Sequence, residues 1–183
     1  VVVVTSGPGA TNTITGIADA MSDSIPLVVL TGQVHRPGIG KDAFQEADLL
    51  SMTTPITKHN YQITDVKDIP KIIDEAFHIA STGRKGPVVI DFPKDIGVLE
   101  TVEVSPRELN LPGYHINLTP EDKEIEQIIQ MIRLAKKPII LAGAGVNHAE
   151  ASKELTAFAN KYKIPVVNTL LGLGSIPYSD PLF

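Results

Sequence analysis

Three short apolar runs limit what this chain can become more than any other feature. Val1-Val-Val-Val4, Pro26-Leu-Val-Val-Leu30 and Pro87-Val-Val-Ile-Asp-Phe92 are rich in β-branched residues and too short for helices. All three read as strands, and the runs from Pro26 and Pro87 as buried ones of a parallel sheet. Parallel neighbours need long crossovers, usually helical, and the intervening sequence supplies them. After Val4 comes the turn Thr5-Ser-Gly-Pro-Gly9, then Ile14, Ile17, Ala18 and Met21 at helical spacing. Gly7 and Gly9 open backbone angles closed to other residues, and Pro8 stiffens the bend. Before Pro87, Asp68 precedes the stripe Ile69, Ile72, Ile73, Ala76, Phe77 and Ala80, which predicts a capped helix ended by Gly83. The fold class is α/β: parallel sheets with flanking helices and right-handed crossovers.

From about Gly97 to Leu118 the periodicity fades and Pro106, Pro112 and Gly113 appear, so the chain divides. We read residues 1–104 as one domain, 105–118 as a linker and 119–183 as the first part of a second domain. Thr119-Pro-Glu-Asp122 predicts a helix start, with Thr as N-cap and Pro at the first helical position. That helix is expected to bury Ile125, Ile128, Ile129 and Ile132. A strand, Pro138 to Ala142, then leads through Gly143-Ala-Gly145 into a helix with Leu155, Phe158, Ala159 and Tyr162 on one side. Ile164 to Val167 is a further strand, which makes a second, incomplete βαβ unit. The first residue is not Met and nothing closes the fold after Ser179-Asp-Pro-Leu-Phe183, so we expect an internal piece of a longer polypeptide.

Composition narrows the function classes. With a net charge of −5 and both signs interspersed, there is no electrostatic case for nucleic acid or an anionic membrane. No apolar run reaches membrane-spanning length. The chain has no cysteine, which removes disulfides, thiolate nucleophiles and Cys-based metal sites and fits a cytoplasmic protein. The five histidines show no metal-ligand spacing.

Candidate sites follow from the strands. Thr31 to Glu46, TGQVHRPGIGKDAFQE, leaves the carboxyl end of a strand, where ligands bind in open α/β sheets. A ligand-lining loop and a mobile surface loop remain open on composition alone. Ser6-Gly-Pro-Gly-Ala-Thr-Asn12 starts a helix but lacks the Lys of a Walker sequence, so a turn shaping a neighbouring loop is favoured. Gly143-Ala-Gly145 starts like a dinucleotide fingerprint, yet His148 stands where the third glycine belongs. Asn168 and Thr169 replace the ribose-binding acid. A conventional NAD site is disfavoured, while a flavin site and a plain tight turn stay open.

The order of several blocks resembles the acetolactate synthase (acetohydroxyacid synthase) family of thiamine-diphosphate enzymes. These are Ser6-Gly-Pro-Gly-Ala-Thr-Asn12, Thr31-Gly-Gln-Val34, Gly40 with Asp42-Ala-Phe-Gln-Glu46, and Ile56-Thr-Lys-His-Asn-Tyr61. Gly86-Pro87 with Asp91, Pro93-Lys-Asp95, Thr169-Leu170 and Gly172-Leu-Gly174 complete the set. The resemblance covers essentially the whole chain. It implies the later part of a pyrimidine-binding domain joined to the first part of an FAD-binding central domain. The activity it implies is condensation of two pyruvates, or of pyruvate with 2-oxobutyrate, with loss of carbon dioxide. The cofactors implied are thiamine diphosphate, Mg²⁺ and FAD. The assembly implied is a homodimer or homotetramer, with a small regulatory subunit as a further partner.

Position by position, the resemblance makes Phe44 and Gln45 residues lining the thiamine site from a partner subunit. It makes Ser24, Arg84, Gly143, Ala144, Gly145, Thr169 and Leu170 flavin contacts. Lys58 and Lys94 would flank the substrate channel, Lys94 nearest the chemistry. His35 stands in that channel at a position often held by Pro, and Ala144 where many members have Gly. The glutamate that activates the coenzyme would lie before Val1, and the metal site in a later domain. Pyruvate oxidase, glyoxylate carboligase or a non-catalytic nucleotide-binding module are the alternatives.

Overall fold

A computed structural model describes residues 1–100 and 109–183, which form two compact units, Val1–Leu118 and Thr119–Phe183. In unit 1 the strands are β1 (Val2–Val4), β2 (Leu27–Gln33), β3 (His59–Gln62) and β4 (Pro87–Pro93). They make one parallel sheet in the order β1-β2-β4-β3. The helices are α1 (Pro8–Thr11), α2 (Ile14–Asp23), α3 (Leu49–Thr53) and α4 (Ile69–Ser81).

The runs in β2 and β4 are continuous because both faces of the sheet are covered there, whereas β1 is an edge strand with Val1, Val2 and Val3 exposed. Val28, Val88 and Ile90 point to one face and pack with Ile72, Ala76, Ile79 and Ala80 of α4. Val29 and Val89 point to the other and pack with Ala10, Ile17 and Leu49. Parallel pairing aligns all the carboxyl ends on one edge of the sheet and all the amino ends on the other.

α4 departs from its expected face. Its buried stripe is Ile72, Ala76, Ile79 and Ala80, while Phe77 is 47% exposed because it sits one residue, about 100°, round the helix from Ala76. Asp68 makes no side-chain cap; Asp65 instead accepts the Lys67 N–H at 2.9 Å and shapes the preceding turn.

The expected linker also differs. Its first residues, 105–108, and the boundary at 104 lie outside the described residues. Residues 109–118 fold onto unit 1, where Leu111 and Tyr114 pack against the α4 layer. The Tyr114 hydroxyl is hydrogen-bonded to Thr82 at 3.0 Å and receives a bond from Lys58 at 2.9 Å.

Unit 2 holds α5 (Asp122–Leu134), β5 (Ile140–Ala142), α6 (Ala144–His148), α7 (Ser152–Tyr162) and β6 (Val166–Asn168). β5 and β6 pair in parallel, and Ala142, Val166 and Ile176 bury against Ala159 of α7. The predicted helix start shifts: Glu121, not Thr119, occupies the N-cap position, and the Glu124 carboxylate accepts the Glu121 N–H at 3.3 Å. Nor does α5 bury its stripe, since Ile125, Ile128 and Ile129 are 41%, 52% and 42% exposed. A sheet of two three-residue strands has too little apolar surface to cover it.

Unit 1 makes a stability prediction at its amino edge. The Lys58 ammonium donates to the carbonyls of Ile79 and Thr82 at the carboxyl end of α4, the second at 2.7 Å, and to Tyr114. A cation there satisfies orphan carbonyls and complements the helix dipole. Lys58→Met is expected to lower the unfolding free energy by about 1–3 kcal/mol in urea titration. An unchanged midpoint would contradict the capping role.

Candidate functional site

One acid interrupts the apolar β4, and the carboxyl edge of unit 1 is built round it. Asp91 is 1% exposed, next to Thr31 at 0% and Gln33 at 5%. Register explains the meeting: Thr31 and Gln62 are the cross-strand partners of Asp91, and Gln33 lies two residues beyond Thr31 on the same face. The Gln62 and Gln33 amides donate to one carboxyl oxygen at 2.8 and 3.2 Å, and Thr31 lies 3.4 Å from the other. Burial pushes the Asp91 carboxyl above the ordinary aspartate value, against the opposing pull of these hydrogen bonds. The Thr31 hydroxyl donates within the cluster, its proton shared between the Ile90 carbonyl, 3.3 Å away, and the Asp91 carboxyl.

Gln33 carries this order into the loop that follows β2. Its Nε2 donates to the Ala47 carbonyl at 2.9 Å, and its Oε1 accepts the Val34 N–H at 2.8 Å, so one side chain holds both ends of the loop. Arg36 ties the loop's first turn to the segment after β4. It donates from its backbone to Asp95 at 2.9 Å, from Nε to Asp95 at 2.6 Å, and from Nη1 to the Thr64 carbonyl at 2.7 Å. These contacts hold the Asp95 carboxyl below its ordinary value, the backbone bond most of all.

The tip of the loop is organised by its last acid. The Glu46 carboxylate accepts N–H groups from Gly40, from Lys41 at 3.3 Å and from Ala43 at 3.0 Å. They lower its pKa, Gly40 most strongly. Gln45 takes the left-handed conformation, φ 63°, as do Asp42 and Gly40. Underneath lies Gly7: a Cβ there would stand 2.7 Å from the Gln45 carbonyl oxygen, so only glycine lets the first turn approach. Gly7 also has φ 56°. The Ser6-Gly-Pro-Gly9 turn therefore shapes the neighbouring loop. A cavity of about 270 Å³ opens between this loop and the cluster, lined by Gln33, Gly40, Glu46, Asp48, Gln62 and Asp91 among others.

The sequence-predicted residues fall into three places. Phe44, 89% exposed, and exposed Gln45 stand at the tip of the carboxyl-edge loop. Exposed His35 begins the same loop, and exposed Lys94 follows β4, its N–H extending the ladder to the Gln33 carbonyl at 3.0 Å. Ser24, Arg84 and Lys58 lie at the opposite, amino edge. Arg84 donates to the Ser24 hydroxyl at 2.9 Å and to the Met21 carbonyl at 3.1 Å, closing the end of α2. Lys58, expected beside a substrate channel, is spent on α4 and Tyr114.

The remaining candidates meet in unit 2, at the carboxyl ends of β5 and β6. The Thr169 N–H donates to the Ala142 carbonyl at 2.9 Å, and the Thr169 hydroxyl accepts the Gly172 N–H at 3.1 Å. Gly143 faces Thr169, while Gly172 presses so close to the Ala142 backbone that a Cβ would lie 2.2 Å from its oxygen. Gly143, Ala144 and Gly145 thus begin α6 beside Thr169 and the 82% exposed Leu170. Asn168 is half-buried there, and its buried Oδ1 is unpartnered among the described residues.

Sequence reasoning missed the roles of Asp91, Gln33 and Glu46 and the Arg36–Asp95 tie. The signal for Asp91 was present, since a lone acid inside an apolar strand must be partnered or neutralised. Nothing local pointed to the other three. Among the described residues no three His, Asp or Glu side chains gather to hold a metal, and no helix is long and apolar enough to cross a membrane.

Comparison with known proteins agrees with this architecture. Residues 1–52 match the N-terminal TPP binding domain of thiamine pyrophosphate enzymes, and residues 125–183 match their central domain. The chain belongs to the thiamine pyrophosphate enzymes. Within them it is 54% identical over 182 residues to the acetolactate synthase large subunit of Lactococcus lactis, covering 100% of this chain and 32% of that protein. The large subunit of Corynebacterium glutamicum is 51% identical over 182 residues, covering 100% of this chain and 29% of the relative. The chloroplastic acetolactate synthase of Arabidopsis thaliana is 49% identical, covering 98% and 27%. The chain thus spans about a third of the length of the curated relatives it matches.

The Asp91 cluster predicts a pH dependence. The folded state holds the Asp91 proton more tightly than the unfolded chain does. Its contribution to stability is therefore fully present below the ordinary aspartate value and drains away as pH rises through the folded one. Asp91→Asn has no such titration and can make the same bonds. Its stability relative to wild type is expected to improve as pH rises from acid to neutral. Asp91→Ala, which removes the acceptor shared by Gln62 and Gln33 and leaves a gap between the strands, is expected to cost about 2–4 kcal/mol. Urea unfolding across pH tests both; an Asn variant that loses ground towards neutral pH would contradict the assignment.

Proposed function

We propose that the chain is part of an acetolactate synthase, which joins two pyruvates, or pyruvate and 2-oxobutyrate, with loss of carbon dioxide. Residues 1–104 would be the later part of the pyrimidine-binding domain and 119–183 the first part of the central domain. Beyond the family match, one observation carries the reading. Phe44 and Gln45 project outward from a loop that is anchored at both ends and supported from below by Gly7. An exposed aromatic beside an exposed amide, on a rigid support, fits a face completed by another molecule better than a mobile surface loop.

Thiamine diphosphate is the family's coenzyme, with Mg²⁺ and FAD typical partners, and it supplies the electron sink for decarboxylation and carbon–carbon bond formation. In this reading Gln45 offers its amide beside a coenzyme held by a partner subunit, in a homodimer or homotetramer. Phe44 covers the reacting atoms and excludes water. Lys94, on the same edge, is the cation available to an oxo-acid carboxylate, and His35 stands at the entrance. FAD would lie along the backbone of Gly143 to Gly145 with Thr169 and Leu170, while Ser24 and Arg84 keep the flavin role that the resemblance alone implies for them. A small regulatory subunit and a cytoplasmic location belong to the same reading.

The test uses the full-length protein with thiamine diphosphate, Mg²⁺ and FAD. Pyruvate is expected to become acetolactate while the flavin stays oxidised. Gln45→Ala should lower kcat by about ten- to a hundredfold and change KM far less, because the amide acts by orientation. Peroxide formation, flavin reduction in step with pyruvate use, or an unchanged kcat in the variant would overturn the proposal.

A further inference from the structure

The loop tip holds an acid that the proposed chemistry does not use. Among the described residues Glu46 pairs with no cation; its carboxylate turns back into its own loop and gathers the N–H groups of Gly40, Lys41 and Ala43. Its own N–H donates to the Ala43 carbonyl at 2.8 Å, so the same residue closes the turn in both directions. Three residues in this stretch, Gly40, Asp42 and Gln45, have φ between 53° and 77°. Two of them carry side chains, and such residues occupy that region only when their surroundings enforce it.

The enforcing contacts converge on Gln45. Gly7 blocks it from below, the Gln33–Ala47 bond fixes the chain two residues later, and Glu46 pulls the chain behind it into a closed ring. Of these, Glu46 alone among the described residues gathers the Gly40 and Ala43 amides; the Lys41 N–H is shared with the Gly38 carbonyl at 3.2 Å. We infer that Glu46 is a positioning residue: its carboxylate is an internal latch that sets the left-handed backbone of Gln45 and so aims the Phe44–Gln45 pair. This rests on the functional reading above, in which that pair faces the coenzyme.

Glu46→Gln is the discriminating variant. It keeps size and shape but offers one acceptor oxygen, and its amide protons oppose the backbone N–H groups they would face. In the full-length protein, hydrogen exchange at the amides of Gly40 and Ala43 is expected to accelerate by about tenfold or more, while the Asp91 cluster keeps its protection. With pyruvate as substrate, kcat should fall by about tenfold and KM should move by less than about threefold, the pattern of lost orientation. Unchanged exchange at these two amides would show that no latch exists. Faster exchange with an unchanged kcat would show that the latch does not aim the pair. If wild-type protein makes no acetolactate, the functional reading falls, and the exchange arm still decides whether Glu46 holds the loop.

Discussion

The buried carboxyl of Asp91 is the interaction on which the carboxyl edge depends. Three strands arrive there side by side, and each contributes a polar side chain to the same face: Thr31 and Gln33 from β2, Gln62 from β3, Asp91 from β4. Without the acid, the half-buried Gln62 amide and the buried Gln33 amide would lose the acceptor they share, and the Gln33 Nε2 would keep only its bond to Ala47. With it, the strand ends are locked in register, and Gln33 has its remaining capacity free for the loop. Order thus passes outward from Asp91 to Gln33, to the base of the loop, and to the Phe44–Gln45 tip. Gly7 and Glu46 complete the support from below and within.

The two edges of the sheet divide the labour. At the amino edge Lys58 and Arg84 spend their cationic groups on the carboxyl ends of α4 and α2, contacts that hold layers together. At the carboxyl edge the hydrogen bonds organise a loop whose exposed groups are left without structural duties. That asymmetry is general in parallel sheets, where backbone geometry leaves the carboxyl ends open to ligands. It explains why Lys58 resembles a functional lysine in sequence yet serves as a helix cap in the fold.

Much of the architecture was legible because burial on both faces leaves a plain signature. The runs at Pro26–Leu30 and Pro87–Phe92 could be little else, and the α2 and α4 periodicities gave the crossovers, while Val1–Val4 carries the same composition on an exposed edge strand. The misreadings share a cause: they needed knowledge of what an element packs against. Ile125, Ile128 and Ile129 form a proper stripe, but unit 2 offers no surface wide enough for it. Proline and glycine near 112–113 suggested a linker, whereas Leu111 and Tyr114 find room on α4. The site was legible as a stretch, from Thr31 to Glu46, and its individual candidates came from family resemblance. What supports them did not show, because Asp91 meets Gln33 across 58 residues and Glu46 folds back on its own backbone.

In the proposed function, the Asp91-supported edge presents Gln45 to a coenzyme held mainly by another subunit. A crystal structure of the full-length protein with thiamine diphosphate and Mg²⁺ measures this directly. The expected result has the coenzyme's ring system in contact with Gln45 and Phe44 of one subunit and its diphosphate held by another. The 40–46 loop is expected to keep the conformation seen here. A coenzyme seated away from the carboxyl edge, or a Gln45 that points elsewhere in the bound state, would contradict the proposal.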